Sequence, residues 1–365
     1  MKTRILLLSL VISVILIGAC TNPKLPAMTL GESIEPIPEA APESKFGIFT
    51  SERDLQKLDN GRDAWLPEGV LWERSHPGYA SWQQIETSKG NYDWVKIDAY
   101  VKGAQASGIQ ILFTIWPFAD WDQLTYNSDL PEEPPLPIGD AERGKDPSTF
   151  LSLAKRRGKP CDMNAYRQFL GLLIERYDGD GSNDMAGLRY PIKYWEIANE
   201  PEVDFFFQGS SRDYFELLKV SYETIKSTDP SAQVLSGAAV QRRGMDPDLG
   251  FRPFWEKFYK LGGANYFDIA NIHSPPDVQR FADFLKDQGV EVKPIWVTEM
   301  GSVNDWLPEY GMKEGDLTSV TEALVRVFTE AFENGAERIF ISGWGRKEHN
   351  PALREAIRII KGSHP

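Results

Sequence analysis

Short apolar runs alternate with longer amphipathic stretches from residue 45 to the end of the chain. The run at residues 109–116 (IQILFTIW) is almost continuously apolar, which is typical of a strand buried on both faces of a parallel sheet. The stretch at residues 164–177 instead places its apolar side chains at helical spacing. The alternation predicts eight strands separated by helices, and therefore an α/β fold of the (β/α)8, or TIM, barrel type.

The same pattern places each element along the chain. We expect strands at residues 46–49, 70–72, 109–116, 192–200, 233–236, 267–273, 295–299 and 338–344. We expect helices at residues 52–58, 92–107, 164–177, 212–228, 253–261, 278–288, 317–334 and 351–361. The third strand is followed by a long proline-rich connection, residues 117–161, and connections of this length usually form a wall or a lid of a functional site.

Two of the predicted strands end in a glutamate. Residues 194–201 (YWEIANEP) run into Glu200, where a proline stops sheet pairing, and residues 294–301 (PIWVTEMG) run into Glu299. These are the fourth and seventh strands, whose carboxyl ends meet on one face of a barrel. Two carboxylates that face each other there are the groups that glycoside hydrolysis requires. The alternative is that both glutamates form structural ion pairs.

Composition narrows the class of partner. The chain is 41% hydrophobic and 25% charged, as in ordinary soluble domains, and its net charge of −13 argues against a nucleic-acid partner. The four histidines show no metal-ligand spacing, so we expect no metal and no cofactor. The acidic loop at residues 178–184 is similar to a calcium loop but lacks the distal glutamate, so we expect a solvated turn.

The N-terminus has the pattern of a targeting segment. Lys2 and Arg4 precede an apolar run of about fourteen residues, too short to span a bilayer, and the run ends at Cys20 in a sequence similar to a bacterial lipobox. We expect residues 1–20 to be a lipoprotein signal, Cys20 to carry the lipid, residues 21–44 to be a tether and residues 45–365 to be one barrel domain. The domain would then lie outside the cytoplasm, on a membrane face such as the outer membrane. An ordinary signal peptide, and hence a secreted protein, is the alternative.

The residues at the strand ends resemble those of the clan A glycoside hydrolases. Asn199-Glu200-Pro201 is similar to the motif that ends the fourth strand in this clan, and Thr298-Glu299 to the end of its seventh strand. Residues 82–94 also resemble the W-x-x-I-E-x-x-x-G-x-Y-x-W run that is common in the second βα unit. The likeness covers most of residues 45–361 and is nearer to the xylosidase-like members of family 39 than to the cellulases.

The resemblance implies a retaining hydrolase. Glu299 would be the nucleophile, Glu200 the acid/base that holds its proton more tightly, and Asn199 the partner of the sugar 2-hydroxyl. The expected partners are a carbohydrate and, through Cys20, membrane lipid, and we expect a monomer. A glycan-binding protein without activity is the alternative, because a fold does not fix a chemistry. An aldolase is disfavoured because no lysine ends a strand at a matching position.

Five other side chains are candidates for the substrate site, each with a structural alternative. His273 ends the sixth strand and would face the pocket or be a satisfied core histidine. Trp344, Trp116 and Trp121 would form sugar platforms, or pack at the barrel rim and hold the long connection in place. Arg74 would bind the nucleophile or a substrate carboxylate, or pair with Glu73 or a helix carboxylate.

Two further residues need an explanation from the structure. Glu196 has the same strand parity as Glu200 and should point into the barrel, where a carboxylate needs a partner that the sequence does not identify. Cys161 is the only cysteine besides Cys20, and we expect an unpaired thiol, a nucleophilic role being the alternative.

Overall fold

The computed structural model describes residues 44–49, 70–75, 78–126, 129–132, 153–240, 253–290, 293–300, 307–313, 315–341 and 350–363. All of them lie in one compact unit, Pro38–Pro365. The predicted leader with Cys20, the tether up to residue 43, the helix expected at residues 52–58 and Trp344 lie outside these residues. Across the described ranges, no helix has the length and apolar content needed to cross a membrane.

Eight parallel strands form the sheet. They are β1 (Phe46–Phe49), β2 (Val70–Arg74), β5 (Gln110–Ile115), β6 (Tyr194–Ile197), β7 (Gln233–Leu235), β8 (Ala270–Ile272), β9 (Ile295–Val297) and β10 (Ala336–Ile341), and a separate hairpin pairs β3 (Glu86–Ser88) with β4 (Asn91–Tyr92). The strand order is β7-β6-β5-β2-β1-β10-β9-β8. Isolated bridges from Leu235 to Ile269 and from Ala239 to Ile272 join the two ends of the sheet and close the barrel.

Helices cover the outside of the barrel. They are α1 (Trp82–Ile85), α2 (Val95–Ala106), α3 (Asp120–Tyr126), α4 (Met163–Glu175), α5 (Ser211–Thr228), α6 (Pro253–Lys260), α7 (Val278–Asp287), α8 (Leu317–Glu333) and α9 (Asn350–Ser363). Short 3-10 helices occur at Gly263–Tyr266, Pro275–Asp277 and Leu307–Tyr310. The predicted (β/α)8 barrel is therefore confirmed, with the strands expected at residues 192–200 and 267–273 shorter than the apolar runs that predicted them.

The helix expected from residue 92 begins later than predicted. Tyr92 belongs to the β3–β4 hairpin, and α2 starts at Val95. Glu86 explains this turn, because its carboxylate accepts hydrogen bonds from Trp82 Nε1 and from the backbone of Gly90, both at 2.6 Å. Gly90 adopts the left-handed conformation that closes the hairpin, with φ +80°. The 82–94 run thus builds a wall beside β2.

The inside of the barrel changes from apolar to polar along its axis. At the end where the strands begin, Trp72 and Trp296 pack against each other, and the guanidinium of Arg338 lies 4.3 Å and 4.9 Å from their ring centroids. Beside them, Phe340 fills the barrel so closely that a Cβ at Gly47 would lie 2.4 Å from its ring. The interior side chains of the next layer, at the carboxyl ends of the strands, are polar, and they form the floor of the candidate site.

Candidate active site

The end of β6 has an unusual backbone conformation. Ala198 and Glu200 both have positive φ values, +62° and +39°, which are costly for residues with a Cβ and which cluster at functional sites. The hydroxyl of Tyr214 holds this segment, because it donates to Ile197 O at 3.1 Å and accepts from the backbone N–H of Gly237 at 2.6 Å. The strand end is thereby fixed in a conformation that carries Glu200 out of the sheet.

Glu196 lies below Glu200 and is fully buried in the barrel. Its carboxylate pairs with the Arg74 guanidinium through Nε at 2.7 Å and Nη2 at 3.1 Å. It also accepts from Thr114 Oγ1 at 2.5 Å and from Asn271 Nδ2 at 2.6 Å, and it lies 3.0 Å from Thr298 Oγ1. Arg74 is thus the partner that the sequence could not identify, and the buried charge is compensated by hydrogen bonds from β2, β5 and β8.

Arg74 connects this polar floor to the two glutamates predicted to be catalytic. Its Nη1 lies 3.3 Å from Glu299 Oε2, and its Nη2 donates to Asn199 Oδ1 at 2.6 Å. Because the guanidinium is rigid and planar, its pairing with Glu196 fixes the directions of these two bonds. The structure shows the expected contact of Arg74 with Glu299, and it also shows an ion pair with Glu196, an acid that the stated alternatives did not include.

His273 lies between Glu200 and Glu299. Its Nδ1 is 2.8 Å from Glu200 Oε1 and 4.0 Å from Glu299 Oε2. These two oxygens are therefore separated by no more than the sum of the two distances, 6.8 Å. For this pair of facing oxygens, that limit is compatible with the separation of about 5–5.5 Å between the carboxyl groups of retaining glycosidases.

The two glutamates are the accessible members of this cluster. Their side chains are 18% and 28% exposed, whereas Glu196 is inaccessible. His273 is buried, and burial lowers its pKa to about 4, although the charge of Glu299 acts in the opposite direction. The ring is therefore neutral at neutral pH. The site combines two solvent-facing carboxylates with a neutral imidazole and one buried cation.

The tryptophans occupy different positions. Trp116 lies two residues after Thr114, so its side chain points to the same side of the chain, one layer above the polar floor. It is buried, and its indole N–H has no hydrogen-bond partner among the described residues. Trp121 packs edge-on against Trp82, and its indole N–H donates to Glu86 O at 2.9 Å. Trp121 thus attaches α3 to the β3–β4 hairpin. Trp344 lies outside the described residues.

Sequence reasoning did not select several residues of the site. The side chains of Thr114, Asn271 and Thr298 point into the barrel, as those of Arg74 and Glu196 do. The alternation of side chains along each strand was the signal that could have identified them. Glu202 follows Glu200 by two residues and is buried, accepting from Val240 N at 2.7 Å and Trp255 Nε1 at 2.8 Å. Burial raises the pKa of Glu202 to about 7.

The other chemical candidates lie outside this cluster. Burial raises the pKa of the Cys161 thiol to about 11, so it is protonated at neutral pH and does not have the character of a nucleophile. Asp178, Asp180 and Asp184 place carboxylate oxygens within 4.8 Å of one another. Their oxygens accept backbone N–H groups of the same loop, and these bonds account for the arrangement of the turn.

The barrel is shared with glycoside hydrolases of families 39 and 10, both of clan A, as the resemblance implied. A family 39 β-xylosidase from Caulobacter crescentus superposes with a TM-score of 0.54 at 16% identity, over 83% of this chain and 62% of that one. A family 39 enzyme from Bacteroides cellulosilyticus WH2 gives 0.52 at 16% identity, over 84% and 58%. An endo-β-1,4-xylanase of family 10 from Gloeophyllum trabeum gives 0.51 at 14% identity, over 84% and 85%.

At 14–16% identity, the structural similarity to these enzymes shows that the fold is the same. The chain spans less than two thirds of the length of these family 39 enzymes. No protein-family model matches the sequence, and no curated protein matches it.

Proposed function

We propose that the protein is a retaining O-glycoside hydrolase that acts on an oligo- or polysaccharide. The observation that carries the proposal is the placement of Glu200 and Glu299 on one face of the barrel, with facing oxygens at most 6.8 Å apart across His273. Two structural ion-pair partners would not need to be the accessible carboxylates of this cluster. The fold shared with families 39 and 10 supports the same reaction class.

The roles follow from the surroundings of each carboxylate. Glu299 contacts the Arg74 guanidinium, which orients its carboxyl group, and it would attack the anomeric carbon to form a glycosyl-enzyme. Glu200 faces the neutral imidazole of His273, and it would protonate the leaving oxygen and then take a proton from the attacking water. Asn199, oriented by Arg74, would bind the 2-hydroxyl of the sugar.

The proposed substrate is a neutral sugar. The carboxylates of Glu196 and Glu299 outnumber the single guanidinium of Arg74 that contacts both, so a sugar carboxylate would meet repulsion. The structural neighbours in family 39 and family 10 include a β-xylosidase and an endo-β-1,4-xylanase. A β-linked xylose-containing glycan is accordingly the first substrate to test.

We also propose that residues 1–20 direct the chain out of the cytoplasm and that Cys20 carries a lipid. The support is the sequence pattern alone. Expression with radioactive palmitate should label the full chain in the membrane fraction, and Cys20→Ser should abolish the label. An unlabelled protein in the medium would instead indicate secretion.

The function is tested by hydrolysis and binding measured on the same preparations. The purified domain should release aryl groups from at least one member of a panel of aryl β-glycosides led by the xyloside. Glu299→Gln should lose turnover by at least about 10⁴-fold while retaining the affinity for the glycan, because the amide keeps the shape but cannot attack. Binding without hydrolysis in the wild type would contradict the proposal and favour a glycan-binding protein.

A further inference from the structure

A chain of close contacts runs from the buried floor of the site to Glu200. Glu196 Oε1 lies 3.0 Å from Thr298 Oγ1, which lies 3.1 Å from His273 Nε2. On the other side of the ring, Nδ1 lies 2.8 Å from Glu200 Oε1. The positions of the hydrogens along this chain follow from the chemistry of the groups that surround Thr298.

The orientation of the Asn271 amide is fixed first. One of its terminal atoms faces Glu196 Oε1 at 2.6 Å and Ser236 O at 3.2 Å, and both of these oxygens accept hydrogen bonds. That atom is therefore the donor Nδ2. The amide oxygen of Asn271 is left facing Thr298 Oγ1, at 2.9 Å.

The Thr298 hydroxyl then has two neighbours that only accept. It carries one proton, and donation to Glu196 or to Asn271 leaves one of these two oxygen–oxygen contacts without a hydrogen, whereas donation to His273 would leave both without one in a buried site. The hydroxyl consequently presents a lone pair to His273. The Nε2 atom of His273 must carry a hydrogen to complete the third contact.

The remaining hydrogen lies between His273 and Glu200. A neutral ring that is protonated at Nε2 has a lone pair at Nδ1, so the hydrogen of the 2.8 Å contact must belong to Glu200. Four charged or titratable groups among the described residues face this pair. They are Arg74 on β2, Glu196 on β6, Glu202 after the end of β6 and Glu299 after the end of β9. Glu196 and Glu299 favour a cationic ring, whereas Arg74 and the larger effect of burial oppose it.

We propose that Thr298 and His273 together keep the proton on Glu200 in the free protein, so that His273 is a positioning residue for the acid. The inference rests on the proposed role of Glu200. In the first step the proton leaves Glu200 for the leaving oxygen as the glycosidic bond breaks and the bond from Glu299 to the anomeric carbon forms. In the second step water bonds to that carbon as the bond to Glu299 breaks, and the water gives a proton back to Glu200. His273 neither gains nor loses a proton in this cycle.

Thr298→Val and Thr298→Ser form a matched pair for testing this relation. Valine keeps the shape but removes the hydroxyl, so the ring is free to carry its hydrogen on Nδ1 and to stabilise the Glu200 carboxylate. The alkaline limb of the kcat/KM profile should then move to lower pH by about one unit or more, while the serine variant keeps the wild-type profile. Identical alkaline limbs in all three proteins would overturn the proposal.

The state of the ring is measured directly by nitrogen NMR of the wild-type protein labelled at histidine, with the His273 signals assigned by their loss in His273→Asn. The proposal requires, at neutral pH, a protonated Nε2 and an unprotonated Nδ1. A hydrogen on Nδ1, alone or in an imidazolium, would overturn it. Because this readout needs no turnover, an inactive protein with the required tautomer would contradict the proposed function alone.

Discussion

Arg74 joins the buried Glu196 to the exposed Glu299. The guanidinium pairs with Glu196 through two nitrogens, at 2.7 Å and 3.1 Å, and reaches Glu299 Oε2 at 3.3 Å with its third. The carboxylate proposed to attack the sugar is therefore held by a cation whose own orientation is set inside the barrel. A substitution at Arg74 should consequently affect both the stability of the fold and the reaction.

Arg74→Lys tests this relation. An ammonium group cannot reproduce the planar set of bonds to Glu196, Asn199 and Glu299, so we expect kcat/KM to fall by about 10²–10³-fold. The free energy of unfolding should fall by about 3 kcal/mol, because Glu196 loses part of its compensation while buried. Steady-state kinetics and urea unfolding measure the two effects. Lys219→Arg on the exposed face of α5 is the control, and wild-type kinetics in Arg74→Lys would contradict the role given to the guanidinium.

Trp116→Phe tests whether the unpartnered indole N–H serves the substrate. The variant keeps an aromatic ring and removes a buried donor that has no partner among the described residues, so the free energy of unfolding should fall by no more than about 2 kcal/mol, the cost of a smaller ring in a buried position. The KM for the sugar should rise about tenfold through the loss of one hydrogen bond. Trp195→Phe is the matched control.

Trp195 also has a buried indole N–H without a described partner, but its parity is opposite to that of Glu196 and it packs outside the barrel on Phe113. Its replacement should leave KM unchanged. An equal rise in KM for both variants, or none for Trp116→Phe, would show that the Trp116 N–H does not bind the sugar.

Glu202 predicts a pH dependence of stability. Its pKa is raised to about 7 by burial, whereas a glutamate in an unfolded chain titrates near 4.3. Between these values the folded protein binds the proton and the unfolded chain does not, so this group makes the free energy of unfolding decrease as pH rises. His273, with its pKa lowered to about 4, acts in the opposite direction between about 4 and 6.5.

Glu202→Gln should therefore remove the decrease in the free energy of unfolding that Glu202 causes as pH rises. The increase that His273 causes should remain. Measured by urea unfolding from pH 4 to pH 8, the variant should gain stability relative to the wild type across this range, by about 1.4 kcal/mol for each unit of the pKa shift. The exposed Glu223→Gln on α5 is the control. A constant difference between Glu202→Gln and the wild type would contradict a buried, protonated Glu202.

The barrel was predictable because its strands are buried on both faces. Runs such as residues 109–116 are apolar enough to identify strands without pairing information, and the order of elements then defines the fold. The strand ends were less predictable, because the positive φ values of Ala198 and Glu200 end the extended conformation after Ile197, and neither residue type signals such a backbone in the sequence. The helix Asp120–Tyr126 was not expected, since the long connection around it has the composition of a loop.

The site was predictable to the level of its two carboxylates and no further. Glu200 and Glu299 were identified because a charged residue follows an apolar run, but Glu196 required a partner 122 positions away on β2. The pairings among Thr114, Asn271, Thr298 and His273 likewise join residues from different strands. The alternation of side chains along a strand predicts that each of these residues points into the barrel. Which of them contact one another depends on the strand order and register of the closed sheet.

The central claim is that Glu299 forms a covalent bond to the sugar while Glu200 supplies the proton. The protein is incubated with a 2-deoxy-2-fluoro glycosyl fluoride of the preferred sugar. The fluorine at C2 slows formation and hydrolysis of the glycosyl-enzyme, while the anomeric fluoride is a reactive leaving group, so the glycosyl-enzyme should accumulate. Mass spectrometry of the digested protein should find one sugar per chain, attached to the peptide that contains Glu299, and no label in Glu299→Gln. A label on Glu200, or rapid hydrolysis of natural substrate with inversion at the anomeric carbon, would contradict the account.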